Sequence, residues 1–316
     1  MLGPTLLFIY GIVLLILSAH LLVRGASSLA KYLSMSDIAI GLTVVAFGTS
    51  APELVVNTIS SYEGHSSIVF GNVIGSNIFN TLLILGIAGL VYPLSVQRNT
   101  VWKEIPVALF GTVILAALVN DTCLLGLPRN ALSLLDGIIL LTLFVIFLIY
   151  VFGISRIKSQ NKAEVKAYSL SQSIICVILG LTGLFLGGRV TVMSAVSLAR
   201  SLYVSETLIS ITIVAAATSL PELATSVVAA YHKQNDIAVG NIVGSNVFNI
   251  FFILGVSSLI RPNLYSAAFN LDLIVLFLGT LALFVAMFTG KSRRLDRWES
   301  GIFIIVYILY LLHLLH

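Results

Sequence analysis

The chain has 316 residues, of which 58% are hydrophobic and only 9% charged, whereas a soluble domain carries roughly 25% charged residues. So few charges cannot cover a water-exposed surface, which excludes a soluble enzyme and puts most of the surface against lipid. The net charge of +4 is spread along loops in a pattern that reports membrane topology, and no nucleic acid is expected as a partner.

A membrane-spanning helix needs about 20 mostly apolar residues. Ten runs meet that need: 5–25, 38–61, 67–91, 101–120, 132–152, 171–200, 207–230, 236–260, 268–289 and 298–316. Connections are short except 153–170, which reads as a solvated cytoplasmic linker between residues 1–152 and 171–316. The first run lacks a basic start and a small-residue cleavage site, so no cleaved signal peptide is expected. With the N-terminus outside, inner loops and adjoining helix ends hold 12 Lys and Arg and the outer ones only Arg129, Arg200 and Arg261. Inner loops are enriched in these residues, so the expectation is a multi-pass protein of the cell (inner) membrane with both termini outside. Cys123 and Cys176 have neither paired nor zinc-ligand spacing. The five histidines show no metal-ligand pattern, and His232, His313 and His316 are expected at solvent or interface. Asp136 and Asp272 lie near the starts of their runs and are also placed at the interface.

Residues 42–86, LTVVAFGTSAPELVVNTISSYEGHSSIVFGNVIGSNIFNTLLILG, align without a gap on residues 211–255, ITIVAAATSLPELATSVVAAYHKQNDIAVGNIVGSNVFNIFFILG. The offset is 169, and 20 of 45 positions are identical. Apolar composition alone would match Leu, Ile and Val, but would not reproduce TS-x-PEL, GN, GSN and FN in order. Each half holds five runs. Five is odd, so the second copy enters the membrane from the opposite side, an inverted repeat of the kind found in many secondary transporters. The expected fold class is an all-α membrane protein with ten transmembrane helices as two inverted five-helix repeats.

Glu53 and Glu222 sit well inside apolar runs at the same repeat position. A charged side chain at a helix centre costs about 2.5–3.5 kcal/mol on insertion scales. Two equivalent ones point to a cation or proton site; the plainer alternative is a protonated carboxyl that binds helices together. Each glutamate follows Thr-Ser-x-Pro. Proline removes a backbone donor, which frees carbonyls near Thr49 and Thr218, and irregular backbone is tolerated at membrane depth where it lines a cavity. Carbonyls and a carboxylate together make an oxygen cage suited to Na⁺ or Ca²⁺. Thr49 and Glu53, four apart, share a face wherever the helix is regular. The next run carries Asn72, Ser76 and Asn80, and its mate carries Asn241, Ser245 and Asn249, each set forming one polar stripe. Ser76, Asn80, Ser245 and Asn249 read as ion- or proton-coordinating. Asn72 and Asn241 stay open between that role and interhelical hydrogen bonding. Gly71 with Gly75, and Gly240 with Gly244, are small-xxx-small pairs that let the stripe approach the glutamate helix.

The motifs GTSAPEL with GNVIGSNIFN, and ATSLPEL with GNIVGSNVFN, resemble the two alpha-repeats of the sodium/calcium exchanger family within the cation/calcium antiporter superfamily. The resemblance covers nearly the whole chain, and its size is that of the compact prokaryotic members. It implies that Glu53 and Glu222 bind Ca²⁺ and share Na⁺ sites. It assigns backbone and hydroxyl oxygens to Thr49, Ser50, Thr218 and Ser219, carbonyls to Ala46 and Ala215, and further ligands to Ser76, Asn80, Ser245 and Asn249. It also implies that the first and sixth helices slide across the rest as the gate. Two departures stand out: Asn249 occupies a position that is Asp in some prokaryotic relatives, and Ala217-Thr218 stands where the first motif has Gly48-Thr49.

Two ionised glutamates supply −2, which one Ca²⁺, two Na⁺ or two protons neutralise. An uncompensated charge is costly in a low-dielectric site, so the empty site resists crossing while occupied states cross. The expected function is export of Ca²⁺ in exchange for Na⁺ by alternating access, with H⁺/Ca²⁺ or K⁺-dependent exchange as the alternatives and no bound cofactor. A channel would instead conduct downhill without a counter-ion. A membrane enzyme would need a nucleophile–base or metal constellation, which is missing beside the intramembrane acids. Expected partners are Ca²⁺, a monovalent counter-ion and the lipid bilayer, with the chain acting as a monomer.

Overall fold

The computed structural model describes residues 2–124, 126, 129–154, 168–201, 217–290 and 293–314. In chain order the helices are α1 (Leu2–Tyr32), α2 (Asp37–Thr49), α3 (Ala51–Glu63), α4 (Ser66–Val91), α5 (Thr100–Val119) and α6 (Leu134–Ile154). The second half supplies α7 (Leu170–Ser201), α8 (Leu220–Tyr231), α9 (Asn235–Ile260), α10 (Ala267–Ala286) and α11 (Arg297–Leu314). Among the described residues, eight helices are long and apolar enough to cross a membrane. The α2–α3 pair, bent by 49° at its break, passes the same test when its two helices are taken together as one span. The run expected at 207–230 is described only from Ala217 onward, as α8.

Two edges differ from the hydropathy reading. α1 continues to Tyr32 rather than stopping at residue 25, because its polar C-terminal end faces protein: Ser27 and Ser28 are buried, and the Ser27 hydroxyl donates to Gln234 Oε1 at 2.8 Å. The run 38–61 is not one helix but α2 and α3, interrupted at Ser50.

Burial sorts the helices into a core and a lipid-facing rim. In α4 and α9, 78% and 94% of the apolar window is buried, against 33% in α1 and 28% in α6, α7 and α10. Large apolar side chains on the rim, such as Leu6, Leu17, Ile149, Ile178 and Leu309, stay exposed. In a soluble protein such a surface would aggregate; here it faces acyl chains.

The two halves interlock rather than lie side by side. α9 packs on α2, α6 on the end of α9, α11 on the end of α4, and α10 on α5. Two short antiparallel ribbons repeat that exchange. β1 (Leu94–Ser95), after α4, pairs with β4 (Arg294–Leu295), before α11. β2 (Ala131–Leu132), before α6, pairs with β3 (Asn263–Leu264), after α9. α1 and α7 pack on each other along small residues: a Cβ on Gly180 would stand 2.8 Å from Leu22 Cα, and one on Gly187 would stand 3.0 Å from the Leu15 nitrogen.

Candidate cation site

The site begins with two matched helix breaks. Ser50 leaves helical geometry at φ −83°, ψ 8°, and Ser219 does so at φ −89°, ψ 6°. Pro52 and Pro221 follow in the first turns of α3 and α8, where a missing N–H costs no helical bond. The expected shared face of Thr49 and Glu53 is therefore corrected: Thr49 closes α2, Glu53 opens α3, and the break lies between them. Glu53 and Glu222 each occupy a first helical turn, where the unpaired N–H groups and the helix dipole favour negative charge. The Ala46 carbonyl is not stranded by the break. It accepts the Ser50 N–H at 3.0 Å and the Thr49 hydroxyl at 3.3 Å.

At the breaks the halves exchange hydrogen bonds. The Ser50 hydroxyl donates to Glu222 Oε1 at 2.9 Å, and the Ser219 hydroxyl donates to Glu53 Oε1 at 3.1 Å. The Thr49 hydroxyl donates to Asn241 Oδ1 at 3.0 Å, and the Thr218 hydroxyl to Asn72 Oδ1 at 3.2 Å. Every one of these pairs maps onto its partner under the 169-residue offset. Asn72 and Asn241 thus clamp helices together. Asn72 Nδ2 also reaches Asn57 Oδ1 at 2.7 Å, and Asn241 Nδ2 reaches Ser226 Oγ at 3.0 Å.

About two turns beyond Asn72 and Asn241, the backbone of α4 and α9 widens into π-helical segments, Phe79–Ile84 and Phe248–Ile253. Such wide turns recur at functional sites. They carry Asn80 and Asn249. Asn80 Nδ2 donates to Asn246 Oδ1 at 3.1 Å, and Asn249 Nδ2 donates to Asn77 Oδ1 at 2.9 Å. With the amino ends engaged, the amide oxygens remain. Asn80 Oδ1, Asn249 Oδ1, Ser76 Oγ, Glu53 Oε2 and Glu222 Oε2 are buried and have no hydrogen-bond partner. The Ser245 hydroxyl lies 3.5 Å from Glu222 Oε1.

Buried oxygens without partners are rare, since each forfeits its hydration. Here they belong to residues that repeat between the halves, and Glu53, Glu222, Asn80 and Asn249 are 0% exposed. Among the described residues neither glutamate has a basic partner. Two buried carboxylates contacted by serine hydroxyls, without a counter-charge among the described residues, form a hard-oxygen environment. Ca²⁺, which takes 6–8 oxygen ligands, matches that chemistry as cargo.

Across the breaks the structure joins Ser50 and Ser245 to Glu222, Ser219 to Glu53, and Thr49 and Thr218 to Asn241 and Asn72; Ser76, Asn80 and Asn249 hold buried oxygens without partners on α4 and α9. Ala46 sits on the same turn as Thr49; Ala215 lies outside the described residues. Close packing of Gly240 and Gly244 is borne out: a Cβ on Gly244 would stand 2.8 Å from Leu42 Cα and from Ala46 Cβ. For Gly75 the equivalent partners, positions 211 and 215, lie outside the described residues. Asn77, Asn246 and Thr81 escape the four-residue stripe pattern, although the repeated GSN motif contains the first two. A further buried carboxylate, Glu104, 0% exposed, has no counterpart in the repeated motifs and accepts the Tyr150 hydroxyl at 2.5 Å. Asp272 pairs likewise with Tyr310 at 2.8 Å. His232 is half-buried, its ring 4.8 Å from that of His20.

The profile of the family described as sodium/calcium exchanger protein matches residues 3–153 and 172–316, dividing the chain where the repeats divide it. A putative antiporter, CaxA, of Alkalimonas amylolytica is 36% identical over 98% of this chain and 97% of its own length. The sodium/calcium exchanger MaX1 of Methanosarcina acetivorans is 29% identical over 96% of each. The solved structure of the sodium-calcium exchanger NCX_Mj, soaked with Na⁺ and no Ca²⁺, superposes with a TM-score of 0.83 at 31% identity, covering 97% of both chains. The all-helical fold, the two matched halves and the profile agree: this chain is a multi-pass membrane antiporter, not an enzyme, and belongs to the sodium/calcium exchanger family.

Proposed function

We propose that the chain exports Ca²⁺ from the cell in exchange for Na⁺, binding both at Glu53 and Glu222 by turns. One observation carries this reading. Glu53 and Glu222, which have no basic neighbour among the described residues, each keep one buried oxygen without a partner, and Ser76, Asn80 and Asn249, residues that also recur between the halves, add three more. Such a site is tolerable in a low dielectric only with cation or proton present. One Ca²⁺ or two Na⁺ balance the pair, which links inward and outward passage. Amides rather than acids at Asn80 and Asn249 leave no third titratable ligand, which favours Na⁺ over H⁺ as the counter-ion.

The remaining ligands are Thr49, Ser50, Ser76, Ser219, Thr218, Ser245, Asn80 and Asn249, with backbone oxygens of Ala46 and Ala215. The gate is the α1–α7 pair, which lies outside the interlocked core along a seam of small residues. Leu181 of α7 rests on Gly48 beside the first break, so movement of the pair reaches the site directly. Ten spans, an inner-membrane location and termini outside complete the arrangement. Ten spans are supported by ribbon pairing: β2 and β3 share one face, and α6, α7 and α9 supply only three crossings between them, so α8 is counted as the end of a fourth.

The test is ⁴⁵Ca²⁺ uptake into proteoliposomes under imposed Na⁺, K⁺ or H⁺ gradients, one at a time. Uptake driven by outward-directed Na⁺ alone is expected. Uptake that runs without any opposing ion would replace exchange by a channel, and uptake driven by H⁺ alone would replace the counter-ion.

A further inference from the structure

The oxygens facing the site are symmetric between the halves, but one of the side chains holding them is not. Asn246 accepts the Asn80 amide at 3.1 Å and donates its own Nδ2 to the Thr81 hydroxyl at 2.8 Å. Thr81 is buried, 1% exposed. Its repeat mate is Ile250, which has no hydroxyl to offer. Asn77, the mate of Asn246, accordingly sends its Nδ2 to the Asn246 backbone carbonyl at 3.2 Å.

We propose that Thr81 is a positioning residue for cation binding, acting through Asn246 to keep the oxygen end of the Asn80 carboxamide turned toward the ion. This rests on the reading of Glu53 and Glu222 as the cation site. A carboxamide has an acceptor end and a donor end of nearly equal shape. Only the oxygen end can serve a cation. When Asn80 Oδ1 faces the ion, its amino group must find an acceptor on the far side, and Asn246 Oδ1 is that acceptor. Asn246 is itself a carboxamide, so its amino group in turn needs an acceptor, and the Thr81 oxygen ends the chain. Each link runs in one direction, from the ion outward. Without the hydroxyl the last donor is stranded in a dry interior, and the Asn246 carboxamide, with the Asn80 carboxamide that leans on it, loses its anchor.

Thr81 touches neither glutamate in any contact above, and its mate position is aliphatic. Its effect on the ion therefore passes through orientation alone. Because Ca²⁺ collects 6–8 oxygens, the loss of one reliably aimed amide oxygen appears as weaker binding rather than slower turnover.

The experiment compares wild type, Thr81→Val, Thr81→Ser and Glu53→Gln for Na⁺-driven ⁴⁵Ca²⁺ uptake, with half-saturating Ca²⁺ and maximal rate measured separately. Thr81→Val is expected to raise half-saturating Ca²⁺ about 5- to 20-fold, the scale set by stranding one buried donor, with the maximal rate within about twofold by the same reasoning. Thr81→Ser, which keeps the hydroxyl, is expected to restore wild-type half-saturation. Should the valine variant fail to fold, Thr81→Ala carries the same expectation. Wild-type half-saturation in Thr81→Val or Thr81→Ala overturns the proposal, as does an equal loss in Thr81→Ser, which would assign the effect to packing. Undiminished uptake in Glu53→Gln would instead overturn the site itself.

Discussion

The two halves offer the centre the same oxygens but brace them with different side chains. Thr49 and Thr218, Ser50 and Ser219, Glu53 and Glu222, and Asn80 and Asn249 are identical pairs making matched contacts. One layer out the match ends: Asn57 faces Ser226, Thr81 faces Ile250, and Gly48 faces Ala217. The chemistry of a small hard cation dictates oxygen type and direction at the centre. Behind it, any side chain that satisfies the same donor or fills the same gap will do.

Breaking the inner layer has the largest expected effect. Glu53→Gln and Glu222→Gln each remove one unit of the −2 charge that balances Ca²⁺. Truncating one member of a desolvated charge pair costs about 2–5 kcal/mol, so Na⁺-driven ⁴⁵Ca²⁺ uptake at fixed Ca²⁺ should fall by roughly 30-fold or more in each. Equal losses in the two variants would confirm the symmetry, while normal uptake in either one would end the assignment.

Gly244→Ala comes next. The new methyl meets Leu42 Cα and Ala46 Cβ at 2.8 Å, backbone and short side chain that cannot turn aside. Overpacking of this kind costs about 1–3 kcal/mol. Lowered thermal stability and reduced exchange are expected together, because α9 is pushed from α2 and Ser245 moves with it.

The outer layer separates tolerance from loss. Asn57 donates to the Val69 carbonyl at 3.1 Å and accepts from Asn72; Ser226 donates to the Ala238 carbonyl at 3.3 Å and accepts from Asn241. Asn57→Ser copies the other half and should change the unfolding temperature little. Asn57→Leu strands Asn72 and should destabilise by about 1–3 kcal/mol. Similar melting of the two variants would show that the hydrogen bonds matter less than volume here.

Gly48→Ala is the gentlest change, since it makes the first break resemble Ala217-Thr218. The nearest atoms to the added Cβ all belong to the Leu181 side chain, which can rotate, so a cost below about 1 kcal/mol is expected. Its signature should be kinetic: slower maximal exchange with unchanged half-saturating Ca²⁺, if Leu181 travels with the gate.

Much of this was legible in the chain. The glutamates stand out because ionisable groups are scarce in apolar runs, and the offset of 169 marks their equivalence. What stayed hidden depended on local backbone geometry. A uniform four-residue spacing assumes an unbroken helix, so the break at Ser50 and the π segments at Phe79 and Phe248 lie outside its reach. Asn77 and Asn246 sit one residue off the stripe and meet their partners only because the halves interlock. Nothing next to Glu104 in the sequence marks it as buried; Tyr150, 46 positions away, covers it. The polar C-terminal end of α1 is hidden for a related reason: hydropathy cannot tell a serine that faces water from one that faces Gln234.

The two ribbons bear on how the protein is made. β1 is synthesised early but gains its partner only when residues 294–295 of β4 appear, and β2 waits for 263–264. An unpaired strand leaves its backbone donors and acceptors open. Synthesis of the first half thus yields helices that cannot finish their own contacts, and the nascent chain depends on its last segments to close both clasps. Two halves produced as separate polypeptides should therefore assemble with each other, while either half alone is left an incomplete body in the bilayer.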